Sequence, residues 1–290
     1  MTYRELYERG EKRLKEADIQ DASLDARLLL EYVCQTDRSA LYAHAEKVME
    51  EESIRRYMTC IEKRAQHIPL QHLSGTQEFM GLPFYVNQDV LIPRQDTEIL
   101  VEEIMRDLHD GIRILDVCTG SGCILLSLLH YSNDTTGVGL DLSGSALSVA
   151  KENAERLALS ERALFLESDL FEALDGKEKE SAKRFDLLVS NPPYIRTDVI
   201  ETLMPEVRDH EPHMALDGKE DGLFFYKRIT EQAYRFLKRG GQLFFEIGYD
   251  QAEAVTELMR QNGYTEIEVK QDYAGLDRVV SGTLQGGQYV

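Results

Sequence analysis

The strongest indication of the fold is the segment Ile112-Arg113-Ile114-Leu115-Asp116-Val117-Cys118-Thr119-Gly120-Ser121-Gly122, in which a short apolar run passes directly into a turn of small residues. The run 112–117 has the length and aliphatic content of a buried strand, and the turn precedes a helical pattern. Small residues let the backbone approach a ligand, and amides at a helix start can donate hydrogen bonds. We therefore predict a cofactor-binding turn whose residues are Cys118, Thr119, Gly120, Ser121 and Gly122.

The same turn lacks part of the fingerprint of nicotinamide-dependent enzymes. That fingerprint is Gly-x-Gly-x-x-Gly, and the third glycine position after Gly120 and Gly122 holds Leu125. The spacing disfavours a nicotinamide oxidoreductase.

From residue 112 onward, apolar strands alternate with amphipathic helices. The predicted strands cover 112–117, 136–141, 163–167, 185–190, 241–247, 265–270 and 277–282, and the predicted helices cover 122–131, 144–158, 221–238 and 250–261. Such alternation is typical of an α/β protein with a doubly wound, mostly parallel sheet, here of seven strands. The last two strands have no helix between them, which predicts an antiparallel hairpin at one edge.

The first part of the chain has a different pattern. Apolar residues return every three or four positions over 3–67, so we predict a small helical domain over residues 1–74. A linker hairpin over 75–92 follows, with two strands joined at Gly81, and the second domain covers 93–290. Asp25 suits capping of the second helix, and Asp96 or Thr97 suits capping of a helix over 98–109.

Composition narrows the function further. The 290 residues carry a net charge of −19, and residues 1–88 contribute 12 basic and 15 acidic side chains while the remainder contributes 21 and 37. An acidic catalytic part opposes a nucleic-acid substrate at long range. The four cysteines form no CxxC pair, so we expect reduced thiols and no metal site. Without a membrane span or a signal-peptide core, we expect a cytoplasmic protein.

Two acidic residues at predicted strand ends are candidate cofactor ligands. Asp141 lies about twenty residues after the glycine turn, where a carboxylate can accept both hydroxyls of a ribose. Asp169 can accept an adenine amino group, with Leu170 packing against the base. The alternatives are ordinary structural roles: Asp141 capping the helix after Ser143, and Asp169 opening a turn.

The fourth strand ends in Asn191-Pro192-Pro193-Tyr194. The prolines fix the backbone and hold Asn191 extended, so the Asn191 side chain and the Pro192 carbonyl can both accept hydrogen bonds. Two acceptors match the two hydrogens of a planar NH₂ group, and Tyr194 can cover its face. The alternative is only a turn that terminates the strand.

Taken together, these motifs resemble S-adenosylmethionine-dependent methyltransferases that act on planar nitrogen. The chain as a whole is similar to the PrmC/HemK release-factor glutamine methyltransferases. The matching segments are 89–98, 116–124, 189–195, 211–216 and 274–280. Three positions depart from that family's pattern: Gln95 replaces a usual proline, and Cys118 and Lys219 stand where glycine is frequent.

The resemblance implies a class I methyltransferase fold, S-adenosyl-L-methionine as cofactor and S-adenosyl-L-homocysteine as product. It implies Asn191, Pro192, Pro193 and Tyr194 as catalytic residues, with Asn191 also among the cofactor-binding residues and Pro93-Arg94 at the border of the site. The implied substrate is the glutamine of a Gly-Gly-Gln tripeptide in peptide chain release factors, gripped by the helical domain of a monomeric enzyme. A methyltransferase for adenine or guanine amino groups of nucleic acid is the alternative.

The tail also contains Gly286-Gly287-Gln288, which allows the hypothesis of self-methylation or self-inhibition through Gln288.

Overall fold

The computed structural model describes residues 1–175 and 184–285. The Gly286-Gly287-Gln288 tail and residues 176–183 lie outside these ranges. The described residues form two compact units. The first unit is Met1–Thr76 together with Met204–His210, and the second contains the other described residues.

The first unit is helical. Its helices in the first 76 residues are α1 (Tyr3–Lys15), α2 (Ala22–Cys34), α3 (Arg38–Ala43), α4 (Glu51–Arg64) and α5 (Leu70–Ser74). Helix α1 begins with a capping box, in which the Thr2 hydroxyl accepts from the Glu5 amide and the Glu5 carboxylate accepts from the Thr2 amide. Tyr57 of α4 is fully buried over Gly10 of α1, where an added Cβ would lie only 2.0 Å from the tyrosine oxygen. The glycine therefore lets these two helices pack closely.

Asp25 does not cap α2, contrary to the prediction. Its carboxylate accepts a 2.6 Å hydrogen bond from Arg64 Nε, and both side chains are only 9% exposed. Arg64 also donates to Glu206 at 3.0 Å. This ion pair joins the segment 204–210 to helix α4 of the same unit.

The second unit begins with a two-stranded hairpin, β1 (Thr76–Phe79) and β2 (Leu82–Tyr85). The strands of the main sheet are β3 (Arg113–Val117), β4 (Thr136–Asp141), β5 (Ala163–Glu167), β6 (Phe185–Ser190), β7 (Leu237–Glu246), β8 (Tyr264–Gln271) and β9 (Asp277–Leu284). The longer helices are α6 (Gln95–Asp107), α7 (Cys123–His130), α8 (Gly144–Arg156), α11 (Phe224–Ala233) and α12 (Ala252–Gln261). Two short helices are α9 (Thr197–Ile200) in this unit and α10 (Pro205–Arg208) in the first.

The sheet confirms the predicted fold class. Its seven strands follow the order β5-β4-β3-β6-β7-β9-β8; β3 to β7 are parallel, and β9 is antiparallel to both of its neighbours. The chain moves outward in one direction from β3 to β4 and in the other from β3 to β6. This reversal is the topological switch point, where ligands bind in open α/β sheets.

Buried side chains cover both faces of the sheet. One apolar cluster joins the hairpin, α6, α7 and α8 to one face, and the other joins α11 and α12 to the opposite face. The central strands are buried on both sides, which explains why they are almost continuously apolar in sequence.

Helix α6 starts earlier than predicted. Arg94 is its N-cap residue and makes no side-chain capping bond, so neither Asp96 nor Thr97 caps the helix. Asp96 instead faces Arg278, at 3.3 Å, and Thr97 is buried. In the part of the chain that is described, no helix is long and apolar enough to cross a membrane.

Candidate active site

A cavity of about 310 Å³ opens at the carboxyl ends of the central strands. Eight of the residues predicted from the sequence line it: Cys118, Thr119, Gly120, Ser121, Asp141, Asp169, Asn191 and Pro193. Pro93 and Arg94, which the resemblance placed at the border of the site, line it too. The structure thus brings the glycine turn together with Asn191 and Pro193 of the Asn-Pro-Pro-Tyr corner in one cavity.

The turn after β3 is shaped by left-handed backbone. Cys118, Gly120 and Gly122 have φ values of 63°, 55° and 78°. An added Cβ at Gly120 would meet nothing within 4 Å, so its backbone is open toward the cavity. A Cβ at Gly122 would lie 3.2–3.3 Å from Leu126, Ala150 and Phe165, and Gly122 is not part of the lining. The two glycines therefore differ: Gly120 lines the cavity, whereas Gly122 allows α7 to pack on its neighbours.

Asp116 lies at the base of this turn and is fully buried. Its Oδ2 accepts a 2.6 Å hydrogen bond from the Thr119 hydroxyl, while Oδ1 meets no partner among the described residues. Burial raises the pKa of Asp116 to about 7, against the lowering effect of Thr119. The Asp116 carboxyl group, which accepts from Thr119 of the turn, therefore changes its protonation state near neutral pH.

Asp141 connects the turn to the next strand and helix. Its Oδ2 accepts from the Gly120 amide at 2.8 Å, and its Oδ1 accepts from the Ser143 amide at 2.9 Å. The cap of α8 is Ser143 itself, whose hydroxyl accepts from the Ala146 amide. Burial raises the pKa of Asp141, and these amide bonds lower it. Each carboxylate oxygen has a further lone pair, so these bonds still allow it to accept from a ligand in the cavity.

Asp169 and Leu170, two and three residues after the end of β5, lie in different surroundings. Asp169 lines the cavity and accepts a 2.9 Å hydrogen bond from Arg228 Nη1, a partner contributed by α11. Leu170 is only 4% exposed and belongs to the apolar cluster beneath the sheet. The structure therefore places Leu170 in the core and not in the cavity lining, because its left-handed backbone, with φ of 49°, turns the chain there.

The Asn-Pro-Pro-Tyr corner is divided between two cavities. Asn191 and Pro193 line the cavity described above, whereas Pro192 is outside its lining. Tyr194 lines a larger, neighbouring groove of about 1050 Å³, and its hydroxyl donates to Glu246 Oε1 at 3.2 Å. The amide of Asn191 donates from Nδ2 to the Thr97 hydroxyl at 3.4 Å, which leaves Oδ1 as its acceptor atom.

The loop after Leu216 contacts this corner on its outer side, and no pattern in the sequence predicts that contact. The Ile195 amide donates to the Leu216 carbonyl at 3.0 Å, and the Gly218 amide donates back to Ile195 at 2.8 Å. An added Cβ at Gly218 would lie 2.7 Å from the backbone of Tyr194. Gln251 Nε2 donates to the Tyr194 carbonyl at 3.1 Å. The corner is thus held by backbone contacts on its outer side.

Charged groups around the cavity are mostly paired. Arg94 donates to both oxygens of the buried Glu211 at 2.6–2.7 Å, and Lys219 pairs with Asp217 at 2.8 Å. Within the described residues no cation pairs with Asp141, which leaves the cavity with surplus negative charge. Arg94, Glu211 and Lys219 lie far from the glycine turn in sequence. Arg94 and Glu211 fall within the segments that match the family, but no local pattern in the sequence predicts that they pair.

Comparisons with known proteins agree with this architecture. A family model for the PrmC N-terminal domain matches residues 5–75, and a methyltransferase domain model matches residues 108–285. A solved methyltransferase from Pyrococcus furiosus has a TM-score of 0.54 with 13% identity, covering 77% of this chain and 98% of its own. That likeness concerns the fold.

Curated relatives are much closer in sequence. A release factor glutamine methyltransferase from Clostridium acetobutylicum is 42% identical, covering 94% of this chain and 95% of the relative. One from Caulobacter vibrioides is also 42% identical, with 93% and 92% covered. The chain belongs to the release factor glutamine methyltransferase family.

Proposed function

We propose that this protein transfers a methyl group from S-adenosyl-L-methionine to the side-chain amide nitrogen of the glutamine in the Gly-Gly-Gln motif of peptide chain release factors. The observation that carries the proposal is that Asn191, with Oδ1 as its acceptor, lines the same cavity as Gly120 and Asp141. A site for a planar NH₂ group thus adjoins a site suited to a nucleoside cofactor.

The cavity residues fit S-adenosyl-L-methionine. Asp141 offers carboxylate oxygens for ribose hydroxyls, Asp169 offers one for the adenine amino group, and the open backbone at Gly120 allows close approach. The surplus negative charge of the lining favours a ligand that carries positive sulfonium and ammonium groups. When bound, this cofactor supplies an electrophilic methyl group and leaves as S-adenosyl-L-homocysteine.

The corner residues would prepare the glutamine for attack. An amide nitrogen is a weak nucleophile because its lone pair is delocalised into the carbonyl group. Asn191 Oδ1 and the Pro192 carbonyl accept the two NH₂ hydrogens, and this orients the nitrogen and favours the charge that develops on it as the new N–C bond forms. Pro193 fixes the backbone of the corner, and Tyr194 packs beside the amide plane.

The proposal of a release factor as the partner rests on the family and on the small size of the segment that carries the glutamine. Two glycines beside the glutamine make a segment thin enough for a narrow cavity. In our proposal, the helical domain over residues 1–74 binds another part of the release factor, the hairpin over 75–92 links the domains, and residues 93–290 carry the chemistry. The enzyme acts as a monomer in the cytoplasm, where release factors work.

The experiment that tests the function offers three acceptors in parallel with radiolabelled cofactor. These are a release factor, the same factor with its Gly-Gly-Gln glutamine changed to alanine, and nucleic acid. We expect label on the unmodified release factor alone. Label on nucleic acid alone would establish the amino-group methyltransferase alternative, against which the net charge of −19 argues.

An Asn191→Ala variant adds the residue-level test. It should lose most turnover while it still binds the cofactor, because the glycine turn, Asp141 and Asp169 remain to hold the nucleoside. Unchanged turnover would contradict the role assigned to Asn191.

A further inference from the structure

The cofactor cavity and the groove adjoin at the corner, and the groove has no role in the chemistry described above. Asn191 lines the cavity of about 310 Å³, whereas Tyr194 lines the groove of about 1050 Å³. A cavity of the first size lies at the lower end of the range for small ligands, so a nucleoside cofactor leaves little room beside it. The segment of a partner protein that carries the glutamine therefore needs the space of the groove.

Lys219 and Phe224 are the two residues, among those that the structure describes, that line both the cavity and the groove. A glutamine side chain that reaches from the groove toward the cofactor must pass beside them. Phe224 is apolar, and the Arg228 guanidinium lies over its ring, 5.6 Å from the centroid. Lys219 is the hydrogen-bond donor at this boundary, and its side chain is 53% exposed. Lys219 is thus placed to contact the segment beside the glutamine.

The backbone of Lys219 has a fixed position relative to the corner. Its carbonyl accepts from the Thr197 amide at 3.2 Å, and its amide donates to Asp217 Oδ1 at 3.0 Å. The amide of the preceding Gly218 donates to the Ile195 carbonyl at 2.8 Å. Because Ile195 and Thr197 directly follow the corner in sequence, the Lys219 side chain starts from a defined point beside it.

Asp217 balances the charge of Lys219. Lys219 Nζ donates to Asp217 Oδ2 at 2.8 Å, and the Thr197 hydroxyl donates to Oδ1 at 2.6 Å. Burial raises the pKa of Asp217, but these hydrogen bonds lower it to about 2, so the carboxylate is ionised at neutral pH. An ammonium group has three hydrogens, and two remain after the bond to Asp217. Since the pair as a whole is neutral, it suits a neutral acceptor such as a carbonyl oxygen better than a carboxylate.

The backbone conformation of Lys219 is a second reason to assign a role to its side chain. Its φ of 71° lies in the left-handed region, where a residue with a Cβ is strained and glycine is not. Strained positions of this kind are concentrated at functional sites. A lysine here also distinguishes this chain from the family's pattern, in which glycine is frequent at the same position.

We infer that Lys219 is a specificity-determining residue for release-factor methylation in this chain. Its ammonium group donates a hydrogen bond to a main-chain carbonyl oxygen of the glycine segment, while the glutamine side chain extends past Phe224 to Asn191. Glycine carbonyls suit this contact because no side chain shields them. The inference rests on the proposed function, since it concerns how the same substrate binds.

Lys227 provides a matched control. It lines the same groove and pairs with Asp221, as Lys219 pairs with Asp217, but it is not part of the cavity lining. Lys219→Met and Lys227→Met each remove an ammonium group and keep an unbranched apolar side chain. Both lysine side chains are about half exposed, so neither variant should disturb the core.

The test measures KM and kcat for a release factor in steady-state methylation, and cofactor Kd by calorimetry. We expect Lys219→Met to raise KM about 10-fold with kcat within about twofold, because the lost bond holds substrate and transition state alike. Its cofactor Kd should stay within about twofold, which also shows that the variant is folded. Lys227→Met should leave KM within about twofold of the wild type, and Lys219→Arg, which keeps a charged donor, should recover most of the lost affinity.

Ionic strength separates a direct hydrogen bond from a general attraction between charges. The ratio of KM between Lys219→Met and the wild type should be similar at low and at high salt, because the contact is short and Asp217 neutralises the ammonium group. A ratio that falls to one at high salt would show only long-range attraction and would overturn the inference.

The outcomes separate this inference from the proposed function. If the wild type does not methylate release factors, the proposed function fails, and the inference fails with it. If the wild type does so and Lys219→Met has the KM of the wild type or of Lys227→Met, only the role of Lys219 is overturned. A raised cofactor Kd in Lys219→Met with an unchanged KM for the release factor would assign the ammonium group to the cofactor, and it would overturn the inference as well.

Discussion

Gly218→Ala is the substitution for which the structure predicts the sharpest effect on catalysis. A Cβ at this position would lie 2.7 Å from both Cα and the carbonyl carbon of Tyr194 and 2.9 Å from the Pro193 oxygen. Ordinary contacts between such atoms need about 3.5–4.0 Å, so the corner must move by roughly 1 Å. The obstructing atoms are backbone, and a rotamer change cannot relieve the clash.

A displacement of this size acts directly on the proposed acceptors. We expect kcat for release-factor methylation to fall about 100-fold, as a misplacement of about 1 Å in a catalytic constellation can cause. Overpacking should lower the free energy of unfolding by about 1–3 kcal/mol. Cofactor Kd should change little, because Gly218 is not among the residues that line the cavity. Steady-state methylation, calorimetric cofactor titration and urea unfolding measure the three quantities.

Gly111→Ala is the matched control. Gly111 has φ of 78° and no atom within 4 Å of an added Cβ, so its replacement strains the backbone without a clash. A left-handed alanine costs about 1–2 kcal/mol, comparable to the loss expected for Gly218→Ala, but it leaves the corner in place. The same kcat in both variants would show that Gly218 does not set the position of the corner.

Three further predictions concern stability. The pKa of Asp116 is raised to about 7, above its value in the unfolded chain, so between about pH 4 and pH 7 the folded state keeps a proton that the unfolded chain has lost. The free energy of unfolding of the cofactor-free protein should therefore fall by up to roughly 4 kcal/mol as the pH rises through this range, and Asp116→Asn should remove this part of the slope in urea unfolding. Asp25→Ala leaves the buried Arg64 guanidinium without its 2.6 Å partner, and it should cost about 3–5 kcal/mol in chemical denaturation. Gln95→Pro should raise the free energy of unfolding by about 0.4–1 kcal/mol, because Gln95 is exposed at the first position of α6.

Each of these has a clear contrary result. An unchanged pH slope in Asp116→Asn would mean that Asp116 is ionised throughout that range. A loss below about 1 kcal/mol for Asp25→Ala would place the ion pair in solvent. A destabilised Gln95→Pro variant would show that the Gln95 amide has a partner in the folded protein.

The main sheet could be predicted from the sequence with accurate boundaries. Strands β4, β5 and β6 match the predicted ranges 136–141, 163–167 and 185–190. Buried parallel strands are short, apolar runs between turns, so the pattern itself marks their ends. The largest departure is β7, which begins at Leu237 and not at 241, inside the helix predicted over 221–238, whereas α11 ends at Ala233. The polar residues Lys238 and Arg239 interrupt the apolar pattern by which its first half could have been predicted.

The three departures from the family pattern also have local explanations. Cys118 and Lys219 have φ values of 63° and 71°, the left-handed region where glycine has no steric cost. Gln95 occupies the first helical position, where proline is favoured, and Arg94 before it is extended, with ψ of 150°. The usual residues at these positions therefore reflect backbone conformation and not a lost polar contact.

What the sequence could not provide is the set of partners brought in from distant elements. Asp25 and Thr97 both suit a helix start, and local pattern predicts a cap for each; one forms a buried ion pair and the other supports Asn191. Glu246 and Gln251 reach Tyr194 from the end of β7 and the start of α12. The contacts of the corner depend on strand order in the sheet, and the Asp25–Arg64 pair depends on helix packing; periodicity encodes neither.

Peptide mass spectrometry can show whether the Asn191 corner presents a protein glutamine to the methyl donor. A release factor is incubated with cofactor and either the wild type or Asn191→Ala, and its Gly-Gly-Gln peptide is fragmented by tandem mass spectrometry. We predict a mass gain of one CH₂ on the glutamine side-chain amide with the wild type and almost none with Asn191→Ala. A methyl group on any other residue, or equal methylation by both proteins, would contradict the account.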